Sequence, residues 1–524
     1  MGKARNILFI MADQLRWDYL SAAGHPTLET PNIDRLAARG VMFSRAYCQA
    51  PVCGPSRMSF YTGRYTKCHG AHYNNIPLRI DEKTIGDHLR PQGYRVGLVG
   101  KTHMRANVAD MKRLGIDPAS SLGVLVGQCG FEPYERDDGL HPDQSVDPNL
   151  AYNVYLRERG YGGDNPWHDY ANAAEAPDGE ILSGWYLRNA RLPARVADEH
   201  SETAFTTDRA MDFIRECGET PWCLHLSYIK PHWPYIVSAP YHDLYDNSAI
   251  LAANRSDAER ENPHPVIAAF MAHDEAQNFA KEETRQTVIP TYMGLIRQLD
   301  DHLGRLFRFL EETGRADDTF IVFTSDHGDY LGDHWLGEKE LFHDESSRIP
   351  MIVYDPDPAA DQSRGRVDDR LIESIDLAPT FLEIAGGAPV PHILEGRSLL
   401  SVLRGGVTSD WRDAAFSEFD YSFRRARNIL GIPPHQARGY MVRTDDWKYI
   451  LYEGFASQLF DMKNDPRELI DLGRSPVHEA IRREMGDRLF EWFRNLRLRT
   501  TISDEAIASR TDNHIDRGIY FGVW

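Results

Sequence analysis

Short runs of aliphatic and β-branched residues recur along the chain, each closed by turn residues and separated by helical spacing. They are NILFIM at 6–11, RVGLVG at 95–100, WCLHLSYI at 222–229, TFIVFTS at 319–325 and PMIVY at 350–354. Near-continuous apolar strands between helices predict an α/β fold, a large and mainly parallel sheet sandwiched by helices. In TPNIDRLAARG, Thr30 fits an N-cap, Pro31 the first helical position and Gly40 the stop, so a helix is expected between them. Across 291–310, Leu295, Leu299, Leu303, Leu306 and Leu310 return at helical intervals and mark a core face.

The rhythm breaks between about 105 and 200, where YGGDNPWHDY and EAPDGEILSGWY are rich in Gly, Pro, Trp and Tyr. An irregular insertion is expected there, with its aromatics near a pocket and substrate selectivity as its use. After about 390 the alternation stops, and GYMVRTDDWKYILY with SQLFDMKNDPRELIDL predict a smaller C-terminal α+β domain. The expected division is a catalytic domain over 1–390 and a smaller domain with tail over 391–524. The last stretch, TISDEAIASRTDNHIDRGIYFGVW, ends in apolar aromatics that a free tail would expose, so docking on a partner subunit or on its own chain is expected.

Charge and cysteine content narrow the class. With 78 acidic against 59 basic residues the net charge is −19, which opposes non-specific attraction to nucleic acid or to anionic lipid. An anionic substrate then needs a local cationic site. No stretch approaches the roughly 18–20 apolar residues of a membrane span. The start, MGKARNILFIMADQ, lacks a cleavage site after its apolar run, so a cytoplasmic location is expected. The six cysteines show no metal-finger spacing and, Cys53 apart, are expected to be buried, reduced thiols.

In open α/β sheets, ligands sit beyond the carboxyl ends of the strands. The polar residues just after each expected strand are Asp13 and Gln14, Lys101 and His103, Lys230 and His232, and Asp326 and His327. Two carboxylates, an imidazole and an amide carbonyl suit Ca²⁺, Mn²⁺ or Mg²⁺ better than a thiolate-preferring ion. The lysines and histidines around them suit an oxyanion and proton transfer. In APVCGPSRMSFYTGR, Pro55 predicts a helix start that sets Cys53 at a helix N-terminus with Arg57 one turn in, an environment for an anion or a low-pKa thiolate. A thiolate is a poor partner for a hard cation.

Cys53-Gly54-Pro55-Ser56-Arg57 followed by Thr62-Gly63 resembles the sulfatase signature, Cys-x-Pro-Ser-Arg-x-x-x-x-Thr-Gly, whose cysteine is oxidised to formylglycine. GYRVGLVGKTH at 93–103 resembles the family's second signature, TSDHGDYLGDH at 324–334 its metal strand, and WKYILY its C-terminal domain. The resemblance implies an alkaline phosphatase-like fold and one divalent metal, with Asp13, Gln14, Asp326, His327 and the modified Cys53 as ligands. It implies a formylglycine-generating enzyme as a partner in maturation, and a hydrated aldehyde that attacks the ester to give a sulfated diol released by elimination. Arg57 stabilises the nucleophile. Lys101, His232 and Lys339 bind the transferred group or assist the leaving group, His103 is the base that collapses the covalent ester, and Asn74 lies near the bound group.

Gln14 and His327 depart from the Asp-Asp and Asp-Asn pairs common in the family. Asp-Gln, Asp-His, LGDHWLGEK and SSRIP resemble the branch with phosphonate monoester hydrolases and choline-sulfatase-like enzymes. Lys101 and His103 resemble the sulfatases, because phosphonate hydrolases typically place Tyr and Thr there. Sulfate monoester hydrolysis, of aryl sulfates first, is therefore expected, with phosphonate monoester or phosphodiester hydrolysis as the alternative. An unmodified, non-catalytic anion-binding protein is the alternative of another class. A homo-oligomer, dimer or tetramer, is expected.

Overall fold

The first apolar run forms β1 (Asn6–Ala12), buried along its whole length, inside a nine-stranded sheet. The computed structural model describes residues 4–139, 141–142, 147–520, 522 and 524. The other strands of this sheet are β2 (Val41–Tyr47), β3 (Arg95–Gly100), β4 (Glu132–Arg136), β5 (Trp222–Tyr228), β6 (Thr319–Ser325), β7 (Arg348–Ile349), β8 (Met351–Tyr354) and β9 (Arg366–Glu373). Their order is β7-β2-β8-β6-β1-β5-β3-β4, with β9 pairing β2.

Around β1 the sheet is parallel: β6 and β5 flank it, β3 follows β5, and β4 follows β3. Beyond β6 the pairings of β8 with β6 and of β2 with β8 and β7 are antiparallel. The parallel half therefore ends its strands on one edge, and that edge carries Asp13, Lys101 and Asp326. Apolar clusters fill both faces, Leu8, Ile10, Leu224 and Leu299 on one and Ile7, Phe9, Phe60 and Phe381 on the other.

Helix α1 (Pro31–Arg39) runs between Thr30 and Gly40 as expected. The leucine-patterned helix is longer than its pattern, Glu282–Glu312, and continues through Pro290. The segment after residue 105 is less irregular than its composition implies. It holds β4, which extends the main sheet at its edge. EPYER is half-buried at every position, so it lacks the apolar run that marks the inner strands.

A second sheet of four antiparallel strands, β10 (Ala415–Asp420), β11 (Arg438–Arg443), β12 (Trp447–Tyr452) and β13 (Gln458–Asp461), follows in the C-terminal part. One set of its side chains packs with Met485, Leu489 and Trp492 of the helix Glu479–Asn495. The other set, including Met441, Ile450 and Phe460, packs with Tyr47, Val52 and Phe342 of the larger unit. Val52 immediately precedes Cys53, so this sheet buttresses the segment that enters the nucleophile helix. Lys448 ties the two units further, its buried Nζ 2.6 Å from Asp344 Oδ1 and 2.7 Å from Glu468 Oε1.

The described apolar residues of the tail do not dock on its own chain: Ile515, Ile519, Tyr520 and Trp524 are exposed. Short helices there bury no residue. Among the described residues, no helix is long and apolar enough to cross a membrane. All six cysteines are buried and none is in a disulfide.

Candidate active site

Helix α2 (Cys53–Thr62) starts two residues before Pro55, so Cys53 occupies its first turn, and every residue of the helix is buried. Gly63, at φ 64°, closes it in the left-handed region that glycine adopts freely. The first-turn N–H of Gly54 donates to Asn74 Oδ1 at 2.7 Å, and Ser56 Oγ donates to the Asp326 carbonyl at 2.6 Å. A Cβ on Gly54 would lie 2.8 Å from Asn74 Oδ1 and 3.1 Å from its Cα, so the close approach of this segment requires glycine.

Arg57 lies one turn below and is fully buried. Its Nε donates to Asp326 Oδ2 at 2.8 Å and its Nη2 to Asp13 Oδ2 at 3.0 Å, while Nη1 donates to Ser227 Oγ at 2.7 Å and to the Lys101 carbonyl at 2.8 Å. Lys101 Nζ is 2.5 Å from Asp13 Oδ2. The guanidinium thus joins the ends of β1, β3, β5 and β6, compensating two carboxylates that could not be buried alone. Burial and the neighbouring Cys53 work against ionisation of Asp13, but Lys101, His232 and Arg57 outweigh them and hold its pKa below the usual carboxylate range.

Asp13, Cys53, Asp326 and His327 each turn a ligand atom into one space, with those atoms all within 4.8 Å of one another. Cys53 Sγ is 3.1 Å from His327 Nε2 and 3.7 Å from Asp13 Oδ1. His327 Nδ1 is 2.9 Å from the Gly328 carbonyl, so its N–H is committed there and Nε2 faces the cluster. That donor set fits a divalent cation: two buried carboxylate oxygens and a correctly oriented imidazole nitrogen. Burial opposes a charge on His327, yet Asp326 and Cys53 push its pKa up to about 9. The same negative potential favours a cation, and one bound at Nε2 would displace the proton.

Gln14 sits beside this cluster at φ 63°, with its backbone N–H on Asp326 Oδ1 at 3.1 Å. Its Oε1 accepts from Lys339 Nζ at 2.7 Å and its Nε2 donates to Asp329 Oδ2 at 2.5 Å. Lys339 Nζ also donates to His232 Nε2 at 3.1 Å, while His232 Nδ1 is 2.7 Å from the Trp233 carbonyl. Burial, and then Lys339, push the pKa of His232 down to about 3, leaving a neutral imidazole. Burial would raise the Cys53 thiol, but Lys101, Lys339 and His327 hold it well below the usual thiol range. The site is therefore one in which an anion at position 53 is favoured.

His103, at φ 53°, is held by its backbone N–H on Asp138 Oδ1 at 2.9 Å, and its side chain is among the groups that hold the Cys53 thiol low. Its buried Nδ1 has no hydrogen-bond partner. Asn74 spends its amide oxygen on Gly54, so its visible role is to hold α2. Lys230, also at a strand end, turns away from the cluster, donating to the Pro234 carbonyl at 2.8 Å and to Asn172 Oδ1 at 3.2 Å. It braces the loop that carries His232.

Four residues that the strand-end reading omits complete the site. Asp138, which anchors the backbone of Thr102 and His103, follows β4, and recognising that strand would have exposed it. Asp329 and Tyr235 orient Gln14, with Tyr235 OH donating to Asp329 Oδ2 at 2.5 Å. Ser227, inside β5, accepts from Arg57 and carries no signal in a strand of apolar neighbours.

Residues 5–388 match the sulfatase family model, and residues 332–495 match that of the N-sulphoglucosamine sulphohydrolase C-terminal region. The chain is 33% identical over 516 residues to a multifunctional alkaline phosphatase superfamily protein of Trinickia caryophylli, covering 93% of this chain and 95% of that one. It is 27% identical over 488 residues to an arylsulfatase of Clostridium perfringens, covering 90% and 91%. A phosphonate monoester hydrolase structure from Silicibacter pomeroyi superposes with a TM-score of 0.81 at 29% identity, covering 96% of this chain and 98% of that one. With the family model spanning most of its length, this chain belongs to the sulfatase family.

Proposed function

We propose that this chain hydrolyses sulfate monoesters, aryl sulfates first, with Cys53 matured to formylglycine by a formylglycine-generating enzyme. The observation that carries the reading is the pairing of the Asp13, Asp326, His327 and Cys53 cluster with the charges of Lys101 and Lys339 beside it. Asp13, Asp326 and His327, with Gln14 adjacent, would hold one divalent ion, Mn²⁺ or Ca²⁺ before Mg²⁺. When present, the metal supplies Lewis acidity and the hydrated aldehyde an oxygen nucleophile in place of sulfur.

The chain's own groups perform the rest. Arg57 and the first turn of α2 stabilise negative charge at position 53. Lys101 Nζ and Lys339 Nζ donate to the oxygens of the transferred group, and neutral His232 keeps Lys339 oriented through its Nε2. His103, whose side chain acts on position 53, is the base that takes a proton there. Asp138 fixes its backbone.

Phosphonate monoester or phosphodiester hydrolysis is the second reading, supported by the likeness to the Silicibacter pomeroyi hydrolase. Both chemistries set a tetrahedral oxyanion against the same cations. The test is kcat/KM for 4-nitrophenyl sulfate and for 4-nitrophenyl methylphosphonate on one preparation. A preference for the sulfate is expected, and a clear preference for the phosphonate overturns it in favour of the second reading.

A further inference from the structure

Three segments far apart in sequence converge on the start of α2. Asn74 caps Gly54, and its backbone N lies 3.5 Å from where a Gly54 Cβ would be, so the Tyr73–Asn74 peptide runs against the residue after Cys53. Glu340, next to Lys339, donates its N–H to the Pro51 carbonyl at 3.0 Å, and Glu418 of β10 donates its N–H to the Gln49 carbonyl at 2.8 Å. Side chains from the same three segments then meet one another. Tyr73 OH donates to Glu340 Oε1 at 3.0 Å, Arg424 Nε is 2.6 Å from Glu340 Oε2, and Phe423 stacks on Tyr73 with ring centroids 5.0 Å apart and planes 17° from parallel.

Phe423 is 65% exposed, so its ring contributes little to the core. A single exposed apolar side chain is ordinary. This one differs because Tyr73 backs it and its neighbour Arg424 is clamped to Glu340, one residue from Lys339. The clamp also neutralises the charges around it: Arg424 is paired with Glu275 as well as Glu340. Arg424 and Glu340 are thus spent on one another and offer a charged alcohol little, whereas a planar apolar one gains ring contact with Phe423.

We propose that Phe423, backed by Tyr73, is the specificity-determining wall of the leaving-group subsite, selecting esters of planar, aromatic alcohols. The inference rests on the reading of the Cys53 site as one that hydrolyses such esters, but not on which acid is esterified. It gives the C-terminal part of the chain a direct share in substrate choice.

The test compares the parent protein with Phe423→Ala and Phe423→Trp, using 4-nitrophenyl sulfate, 4-nitrophenyl methylphosphonate and inhibition by inorganic sulfate. Phe423→Ala is expected to lower kcat/KM about 10-fold for both aryl esters, as loss of one aromatic contact implies. Phe423→Trp retains activity to within about 2-fold, and the Ki of inorganic sulfate is unchanged in both variants. Aryl ester kinetics unchanged in Phe423→Ala, or inhibition by sulfate weakening in parallel, would overturn the proposal. A parent enzyme that prefers the phosphonate but shows the same loss overturns the sulfate reading and supports the wall. A parent that hydrolyses neither ester overturns both.

Discussion

Removing Arg57 tests whether one guanidinium holds the centre of the site together. Its side chain has no exposure, and neither do those of Asp13 and Asp326, to which it is paired at 3.0 and 2.8 Å. Truncation in Arg57→Ala leaves two buried carboxylates with Lys101 as the remaining close cation on Asp13. Breaking a buried pair from one side costs about 3–5 kcal/mol. The entropy of unfolding is about 2.1 cal/mol/K per residue, or about 1.1 kcal/mol/K for a cooperative unit of 524 residues. The melting midpoint should therefore fall by roughly 3–4.5 °C. The assay is scanning calorimetry on chelator-treated protein and again after loading Mn²⁺. The shift should shrink after loading, because a divalent ion supplies charge that the variant lacks. A midpoint within about 1 °C of the parent in chelator-treated protein would refute the assignment of Arg57 as the counter-charge.

Two other substitutions probe the mechanism and the support beneath it. His103→Ala should lower kcat by about 10²–10⁴-fold with KM for the aryl ester falling alongside it, as expected for loss of a base that acts in the second of two chemical steps, and unchanged turnover removes His103 from the mechanism. His334 Nδ1 lies 2.6 Å from Glu259 Oε1, and its Nε2 lies 3.3 Å from Glu345 Oε2. Burial opposes its charge, but Glu345 and Glu259 push its pKa from 6.5 up to about 10. Stability from that charge is complete below about pH 6.5 and is lost as pH rises through about 10. The urea midpoint of His334→Gln should thus fall furthest below the parent near pH 6 and approach it above about pH 10. A difference independent of pH contradicts the pairing.

The inner strands were legible because they are buried on both faces, which leaves unbroken apolar runs, and those runs stop where the polar residues of the site begin. That is why Asp13, Lys101, Asp326 and His327 could be named without coordinates. Strands β4 and β9 escaped because each shows polar residues to solvent, and with β4 went Asp138. The CGPSR motif marked Cys53 and Arg57 but gave no hint that Asn74 spends its side chain on Gly54. Pairings such as Tyr73 with Phe423 or Arg424 with Glu340 join residues far apart along the chain, and no local pattern encodes them. Of the two contacts expected for the tail, with a partner subunit or with its own chain, the second is not made by its described apolar residues Ile515, Ile519, Tyr520 and Trp524.

The central claim is that Cys53 is a precursor and that the working nucleophile is an oxygen. Peptide mass spectrometry across residues 50–64 of protein active on an aryl ester measures it most directly, with turnover of the same sample recorded alongside. The expected result is an aldehyde at position 53 in a fraction that tracks specific activity across preparations with and without a formylglycine-generating enzyme. Full activity from protein whose Cys53 is entirely an unmodified thiol would contradict the account.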